Sequence, residues 1–569
     1  MSPPRIPIGV KDFRKLAKGG YLFSDKSMLV REIMDSGSDS VMITRPRRFG
    51  KTLAISMLDR FLNVAYREEE SRDDTFAGLK ITRSEDYREW SEGVKNRYPV
   101  IRMDMSSIVV ESKEDLRSQI LKRLKETISI EFGYLLDSPR LSDLQKDTLF
   151  CDDRGDELDP SMVFTNLCTR LALHHGVRPV VLVDEYDKPI ESMYGKPGFD
   201  EAVEYYGSFV RVALKSNINV SRIVVTGVQR IVVRGLFSSL NDFDHIGVAP
   251  GAMGEYFGIL GDEMRSFIGK CVREVHERAS PDEVLRIADA EFSLAAERFD
   301  GYCIGGIDVF NPWSAMKFLV DHIIRGRAVE SYWNDTAENG IVVAMMSGAR
   351  EDVLDRVKAM YVSGGWIEAP FSSVTPLWKP GQMLSEKDLL SLLLFAGYLT
   401  ADTSGGSQKL RIPNREVREN YDVLMERVYC MAFPSVVDLM RHVAQRDASA
   451  VRADLERLME GGSYLDGWKE GRYRSWMHDL FALNGYVAIA ERELGEGRAD
   501  LLVKGYGSRP PAIVELKVLG PDDDGDLSEE AAKGIGQIKD RKYAGSAEME
   551  GAIAFSVAFR KKRCEVAFL

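Results

Sequence analysis

Gly50, Lys51 and Thr52 bring together a backbone able to turn sharply, an ammonium and a hydroxyl, the ingredients of a phosphate grip. They close the stretch VMITRPRRFGKTL, Val41 to Leu53, where an apolar run enters a tight basic loop and the loop opens a helix. Successive N–H groups of such a loop, backed by the positive end of the helix, form a concave anion site. Lys51 adds a point charge at the β- and γ-phosphates of ATP, and the Thr52 hydroxyl is a candidate Mg²⁺ ligand. The general pattern has glycine five residues before Gly50. Here Arg45 stands there, followed by Pro46, Arg47, Arg48 and Phe49.

The other half of that site is RPVVLVDE, Arg178 to Glu185. A run apolar on both faces reads as a buried parallel strand. Its carboxyl end delivers Asp184 and Glu185 to the edge where open α/β sheets bind ligands. Asp184 is the candidate for the Mg²⁺ shell and Glu185 for polarising the attacking water. Either motif alone can be a buried strand or a solvated loop; the two in this order point to ATP.

A second constellation lies near the C-terminus, in GEGRADLLVKGYGSRPPAIVELKVLG. Ala499–Val503 and Ala512–Leu519 read as strands around a turn rich in glycine and proline. Side chains alternate along a strand, so Glu515 and Lys517 share one face while Ala512, Val514, Leu516 and Val518 share the other. Hairpin pairing brings Asp500 to the edge that holds Glu515. Two carboxylates bind Mg²⁺ or Mn²⁺, and a lysine beside them stabilises a pentacovalent phosphate. That set suffices for metal-assisted phosphodiester hydrolysis; Glu-x-Lys alone is also an ordinary surface pair. A helix over Ala531–Tyr543 places Gln537 and Tyr543 on nearby turns.

These residues need elements to hold them. The first 257 residues alternate short apolar runs with helical patterns, the grammar of a parallel sheet flanked by helices. Candidate strands are Ser40–Thr44, Pro99–Met103, Pro179–Val183 and Arg222–Thr226. Residues 258–337 turn helical and amphipathic, as a lid would. In 338–425, helices precede two strand-like runs, LLLFAGYLTAD and KLRIPN, around a glycine-rich turn, a pattern suggesting a winged helix. Residues 426–569 have their own strand–helix order. The expected architecture is α/β: a P-loop sheet with a helical lid, a winged-helix-like middle and a C-terminal α/β nuclease-like domain.

Composition bounds the rest. With 569 residues and 44% hydrophobic content the chain can bury several cores. A net charge of −12 argues against a surface that coats nucleic acid indiscriminately. Six scattered cysteines suit a reducing compartment and give no zinc spacing. No apolar run reaches the ~18–20 residues of a membrane span, and the N-terminus lacks a signal-peptide core. The expectation is a soluble cytoplasmic protein without a membrane partner.

In order, IPIGVKDFRKLAKGGYLFSDKSMLV, RPRRFGKTLAISML, VVLVDEYDKPI, VVTGVQRIVVRGLFSSLND, YFGILGDEM, FNPWSAMKFL and SYWNDT resemble the AAA-ATPase-like domain of a group of prokaryotic proteins. The C-terminal stretch resembles the PD-(D/E)XK nuclease module that commonly follows it. In that family arginine opens the phosphate loop, so Arg45 fits. The resemblance implies that Arg45, Arg48, Phe49, Gly50, Lys51, Thr52 and Asp184 surround the nucleotide, with Glu185 catalytic. Thr226–Arg230 looks like a sensor strand, with Gln229 or Arg230 reaching the γ-phosphate. In the nuclease module Asp500, Glu515 and Lys517 match the catalytic signature, and Gln537 with Tyr543 match its downstream helix. Related modules often carry a carboxylate on the first helix. Here that segment reads Tyr473-Arg474-Ser475-Trp476-Met477-His478, so Glu491 substitutes or the metal site is weakened.

The leading expectation is an ATP-driven machine that cuts nucleic acid, DNA first. The rival is a nucleotide-operated switch whose tail only binds nucleic acid or protein. An arginine finger for ATP hydrolysis, from a neighbouring subunit of a homo-oligomer or from Arg47, Arg48 or Arg234, completes the mechanism.

Overall fold

In the computed structural model, the strand β1 (Ser40–Thr44) runs into the phosphate loop and the helix α1 (Lys51–Leu62) leaves it. The structure describes residues 4–147, 158–194, 196–228, 231–232, 243–247 and 253–333 and some positions between 342 and 376. It describes further 384–403, 406–421, 424, 434–460, 470–483, 487–494, 497–504, 511–520, 523–541 and 551–569. The chain divides into two units, Met1–Asn420 and Tyr421–Leu569.

The first unit is built on a parallel sheet. β2 (Val100–Asp104), β3 (Val180–Asp184), β4 (Arg222–Gly227), β1 and β5 (Asp244–Ile246) lie side by side in that order. β4 is therefore inserted between the loop strand and the acid-bearing strand. Val181 and Val183 of β3 pack on one face, against helices α2 (Lys113–Glu131) and α3 (Pro160–His175). Val180 and Leu182 pack on the other, against α1. Burial on both faces explains the continuous apolar run that the sequence shows. α3 ends as its sequence dictates: Gly176, in the left-handed region at φ 72°, caps the helix after His174 and His175.

Beyond the sheet come α4 (Gly261–Val275), α5 (Pro281–Phe299) and α6 (Pro312–Phe318). A small antiparallel sheet of Ile259–Leu260, Tyr302–Ile304 and Ile307–Phe310, which the helical pattern hid, ties them together. Further along, the expected strand over LLLFAGYLTAD begins as the end of a helix and becomes strand only in its last three residues. α7 spans Glu386–Ala396 and stops at Gly397, φ 89°. Only Thr400–Asp402 is strand, paired with Lys409–Arg411, which also pairs with Ile367–Glu368. Leucines buried on every side of α7 erase the periodicity that separates helix from strand in such a run.

The second unit holds a five-stranded sheet: β6 (Val487–Leu494), β7 (Gly497–Lys504), β8 (Ala512–Val518), β9 (Ile553–Arg560) and β10 (Arg563–Phe568). Neighbours are antiparallel except β8 and β9, which are parallel and joined through the helix α11 (Leu527–Asp540). Val514 and Leu516 face a core shared with α8 (Pro434–Gln445), α9 (Ala448–Glu460) and α10 (Glu470–Leu483). Ile513 packs on the opposite face with Ile535 and Ile538 of α11. Helices thus cover both faces.

Candidate functional site

The phosphate loop is shaped by two left-handed residues. Gly50 (φ 83°) turns the chain into α1 without steric cost, while Arg48 (φ 71°) adopts a conformation that costs an L-residue about 1 kcal/mol. The Lys51 ammonium folds back over the loop and donates to the carbonyls of Arg45 (3.0 Å) and Pro46 (3.1 Å). Burial lowers its pKa, and Glu185, Asp187 and Asp184 act in the opposite direction. Arg48, Lys51, half-buried Thr52 and Glu185 line a cavity of about 760 Å³. That size suits a nucleotide-scale ligand.

Asp184 is buried at the end of β3, where its Oδ1 accepts the Thr226 hydroxyl at 2.5 Å. Thr226 comes from the inserted strand β4. Glu185 follows with φ 52°, a left-handed turn that aims the chain's next acid differently from Asp184. Behind it the Asp187 carboxylate accepts the N–H of Val228 (2.8 Å), fastening β3's exit to β4's exit.

Arg45 does something other than the sequence suggested. Its guanidinium is wholly buried and donates to the carbonyls of Thr44 (2.9 Å), Ile246 (2.9 Å) and Gly247 (2.5 Å), with the Phe257 ring 4.7 Å away. Burial brings its pKa down to about 9. The side chain points away from the cavity into the fold, so the expectation of Arg45 as a nucleotide contact is corrected to a loop anchor. Phe49 is likewise buried, edge-on to Tyr302 at 5.0 Å. Arg47 pairs with Glu191 at 2.7 Å. Arg48 lies over the Trp313 ring at 4.1 Å. Gln229, Arg230 and Arg234 lie outside the described residues.

The sequence reading missed the far wall of the cavity. Pro7, Gly9, Val10 and Phe23 line it from the N-terminal segment, and Trp313 from α6. The signal available was the motif series itself, since IPIGVKDF, YLFSD and FNPWS are the segments concerned.

In the second unit, Asp500 of β7 and Glu515 of β8 are buried, 8% and 1% exposed. Asp500 Oδ2 accepts the N–H of Leu516 (2.9 Å), which locks it across the strand pair beside Glu515. The Lys517 ammonium donates to Glu515 Oε1 (3.1 Å) and to Gln537 Oε1 (2.8 Å) of α11. Gly534 lets α11 come this close: a Cβ there would collide with Ser556 Oγ and approach Glu515 Cγ. Burial first, then the Asp500 charge, raises the Glu515 pKa. Its Oε2 is buried without a hydrogen-bond partner. An orphaned carboxylate oxygen next to a second carboxylate fits a hard divalent cation. Where related modules often have an acid, Arg474 of α10 donates to Asp500 Oδ1 at 3.0 Å. Glu491 lies on β6 with its side chain outside the described residues, as is the whole of Tyr543. Among the described residues no three His, Cys, Asp or Glu side chains gather as a metal cluster.

Comparison with known proteins fits this division. Residues 7–237 match the family described as Predicted AAA-ATPase, and residues 468–568 match the PD-(D/E)XK nuclease superfamily. The chain joins an AAA-ATPase-like domain to a PD-(D/E)XK nuclease-like domain. The AAA-ATPase-like match takes in the phosphate loop and both acids; the PD-(D/E)XK match takes in Arg474 to Gln537. Similar along nearly its whole length is the uncharacterized protein in the vnfD 5′ region of Azotobacter chroococcum mcd 1, 24% identical over 96% of this chain and 94% of that one. Among solved structures, a Walker-type ATPase of Pyrococcus abyssi aligns at 17% identity over 71% of this chain and 96% of its own, TM-score 0.37. The ORC2 protein of Aeropyrum pernix aligns at 12% over 76% and 96%, TM-score 0.22. Both likenesses are loose, and the AAA-ATPase-like architecture rests on its own five-stranded parallel sheet. Among the described residues no helix is long and apolar enough to cross a membrane.

Proposed function

We propose that the chain binds and hydrolyses Mg²⁺–ATP in the cavity over the phosphate loop and couples this to hydrolysis of nucleic acid, DNA first, by its C-terminal unit. Lys51 and the N–H groups before α1 hold the phosphates, Thr52 and Asp184 hold Mg²⁺, and Glu185 orients the attacking water. The water oxygen bonds to the γ-phosphorus as the β,γ-bridging P–O bond breaks. ADP leaves with the electron pair, and the water's proton passes by way of Glu185 to solvent.

In the tail, Asp500 and Glu515 are the residues to hold Mg²⁺ or Mn²⁺, which when bound supplies Lewis-acid activation. Lys517 places a positive charge where charge builds on the scissile phosphate, and Gln537 fixes its direction. The observation that carries this reading is the Lys517 ammonium bonded to both Glu515 and Gln537 beside Asp500. The protein is proposed to work in the cytoplasm. Purified chain with Mg²⁺ or Mn²⁺ is expected to nick or degrade DNA, and Asp500→Ala or Lys517→Ala to abolish cutting with the circular dichroism spectrum unchanged. No cleavage of single-stranded DNA, double-stranded DNA or RNA with either metal would remove the nuclease half.

One observation favours a second reading, a nucleotide-operated switch with a binding-only tail: Arg474 already neutralises Asp500 at 3.0 Å. Calorimetric titration of metal into wild type and Asp500→Ala separates the two, because only a working site loses a binding heat on substitution.

A further inference from the structure

We propose that Arg48 is the chain's own arginine for the triphosphate, held in place by Trp313 of α6, so that ATP turnover is completed within a single copy of the chain. This rests on the ATP-binding reading of the cavity.

The backbone gives the first argument. Arg48 sits at φ 71° in a loop where a glycine would be unstrained. A strained non-glycine residue at a binding site is retained where its side chain has a task. The neighbourhood gives the second. Of the three arginines in the loop, Arg45 is turned inward onto carbonyls and Arg47 is ion-paired to Glu191. Arg48 instead lies over an aromatic ring, its guanidinium carbon 4.1 Å from the centroid. Stacking uses the flat face of the guanidinium and leaves its N–H edge for phosphate oxygens.

Trp313 is itself held at both ends. Its backbone N–H is capped by Asn311 Oδ1 at 2.9 Å, and its indole N–H donates to the carbonyl of Tyr332 at 3.1 Å. Arg48, Trp313 and Glu185 line the same cavity, and Arg48 feels the Glu185 charge. The arginine therefore shares the cavity with the acid expected to direct water at the γ-phosphate. Arg48 contacts the substrate and is catalytic; Trp313 acts through Arg48 and is a positioning residue.

Single-turnover hydrolysis of ATP, followed across a wide range of protein concentration with binding measured by calorimetry, tests this. Wild type is expected to give a rate per chain independent of concentration. Arg48→Gly, which relieves the backbone and so preserves the fold, is expected to lose about 10³-fold in rate while the ATP Kd moves far less. Trp313→Leu is expected to lose about 10-fold in rate, and Trp313→Phe to restore most of it. A rate per chain that climbs with concentration, an Arg48→Gly variant as fast as wild type, or wild type that binds ATP without turning it over, would each overturn the proposal. Wild type that fails to bind ATP at all would instead overturn the ATP reading beneath it.

Discussion

The two candidate sites hold their charged groups in opposite ways. Over the phosphate loop the ammonium of Lys51 rests on two neutral backbone carbonyls. In the tail, Asp500 and Glu515 are each engaged by a full positive charge, from Arg474 and Lys517. Exchanging neutral acceptors for a triphosphate is downhill, because hydrogen bonds to ionised partners are about twice as strong as neutral ones. Exchanging a guanidinium for a metal ion breaks one partly buried ion pair to make another, and the desolvation costs are large on both sides. The loop is poised and the tail is guarded.

The largest effect that can break this contrast is loss of the loop ammonium. Lys51→Ala is expected to weaken Mg²⁺–ATP binding by about 10- to 100-fold, the worth of a hydrogen bond to a charged group, as measured by calorimetry. An unchanged Kd would mean that the lysine stays on its carbonyls in the bound state. Next is the guard itself. Arg474→Ala is expected to raise Mn²⁺ affinity of the full chain by about 10-fold, since no guanidinium then has to be displaced from Asp500 for the ion to bind. Weaker metal binding in that variant would show that Arg474 supports the site instead of blocking it.

A pH effect of a few kcal/mol at most sharpens the picture within the first unit. Glu416 is buried and accepts the Ser314 hydroxyl (2.7 Å) and the N–H groups of Tyr332 (2.6 Å) and Trp333 (3.1 Å). Burial pushes its pKa up to about 7, against the opposing pull of those hydrogen bonds. The folded state then keeps a proton that the unfolded chain releases near its ordinary carboxylate pKa. Stability of the first unit is expected to fall as pH rises from about 4.5 to about 7 and to level off above, by about 3 kcal/mol at the upper bound. Denaturant melts at pH 5 and pH 8 check this, and Glu416→Gln is expected to remove the slope. The smallest effect belongs to Arg47. Its part-exposed pair with Glu191 is worth less than about 1 kcal/mol, so Arg47→Ala is expected to leave the melting midpoint nearly unmoved, in contrast to the kinetic loss expected for Arg48→Gly.

What the sequence discloses follows how local each feature is. β1, β3 and β4 fall within one residue of their expected ends, because double-sided burial leaves a continuous apolar run. Gly50 and the strand-end acids Asp184 and Glu185 are readable for the same reason. The direction of a side chain is not local. Arg45 sits in the loop's sequence yet its guanidinium serves the end of β5, some two hundred positions along, and nothing near Arg45 announces this. Thr226 bonded to Asp184, Trp313 beneath Arg48 and Arg474 against Asp500 are likewise products of topology. The missing acid on α10 was legible; that Arg474 of the same helix would reach across to Asp500 was not. The helix over Glu386–Ala396 escaped because uniform leucine hides the period.

Arg45 has one more consequence. A single cation joins the last carbonyls of β1 and β5, so the outermost strand of the sheet and the root of the phosphate loop are fastened by the same three bonds. Neither can peel off alone. Amide protons along Asp244–Ile246 should therefore exchange with solvent in step with those at the start of the loop, and a ligand that quiets one would quiet the sheet's rim as well.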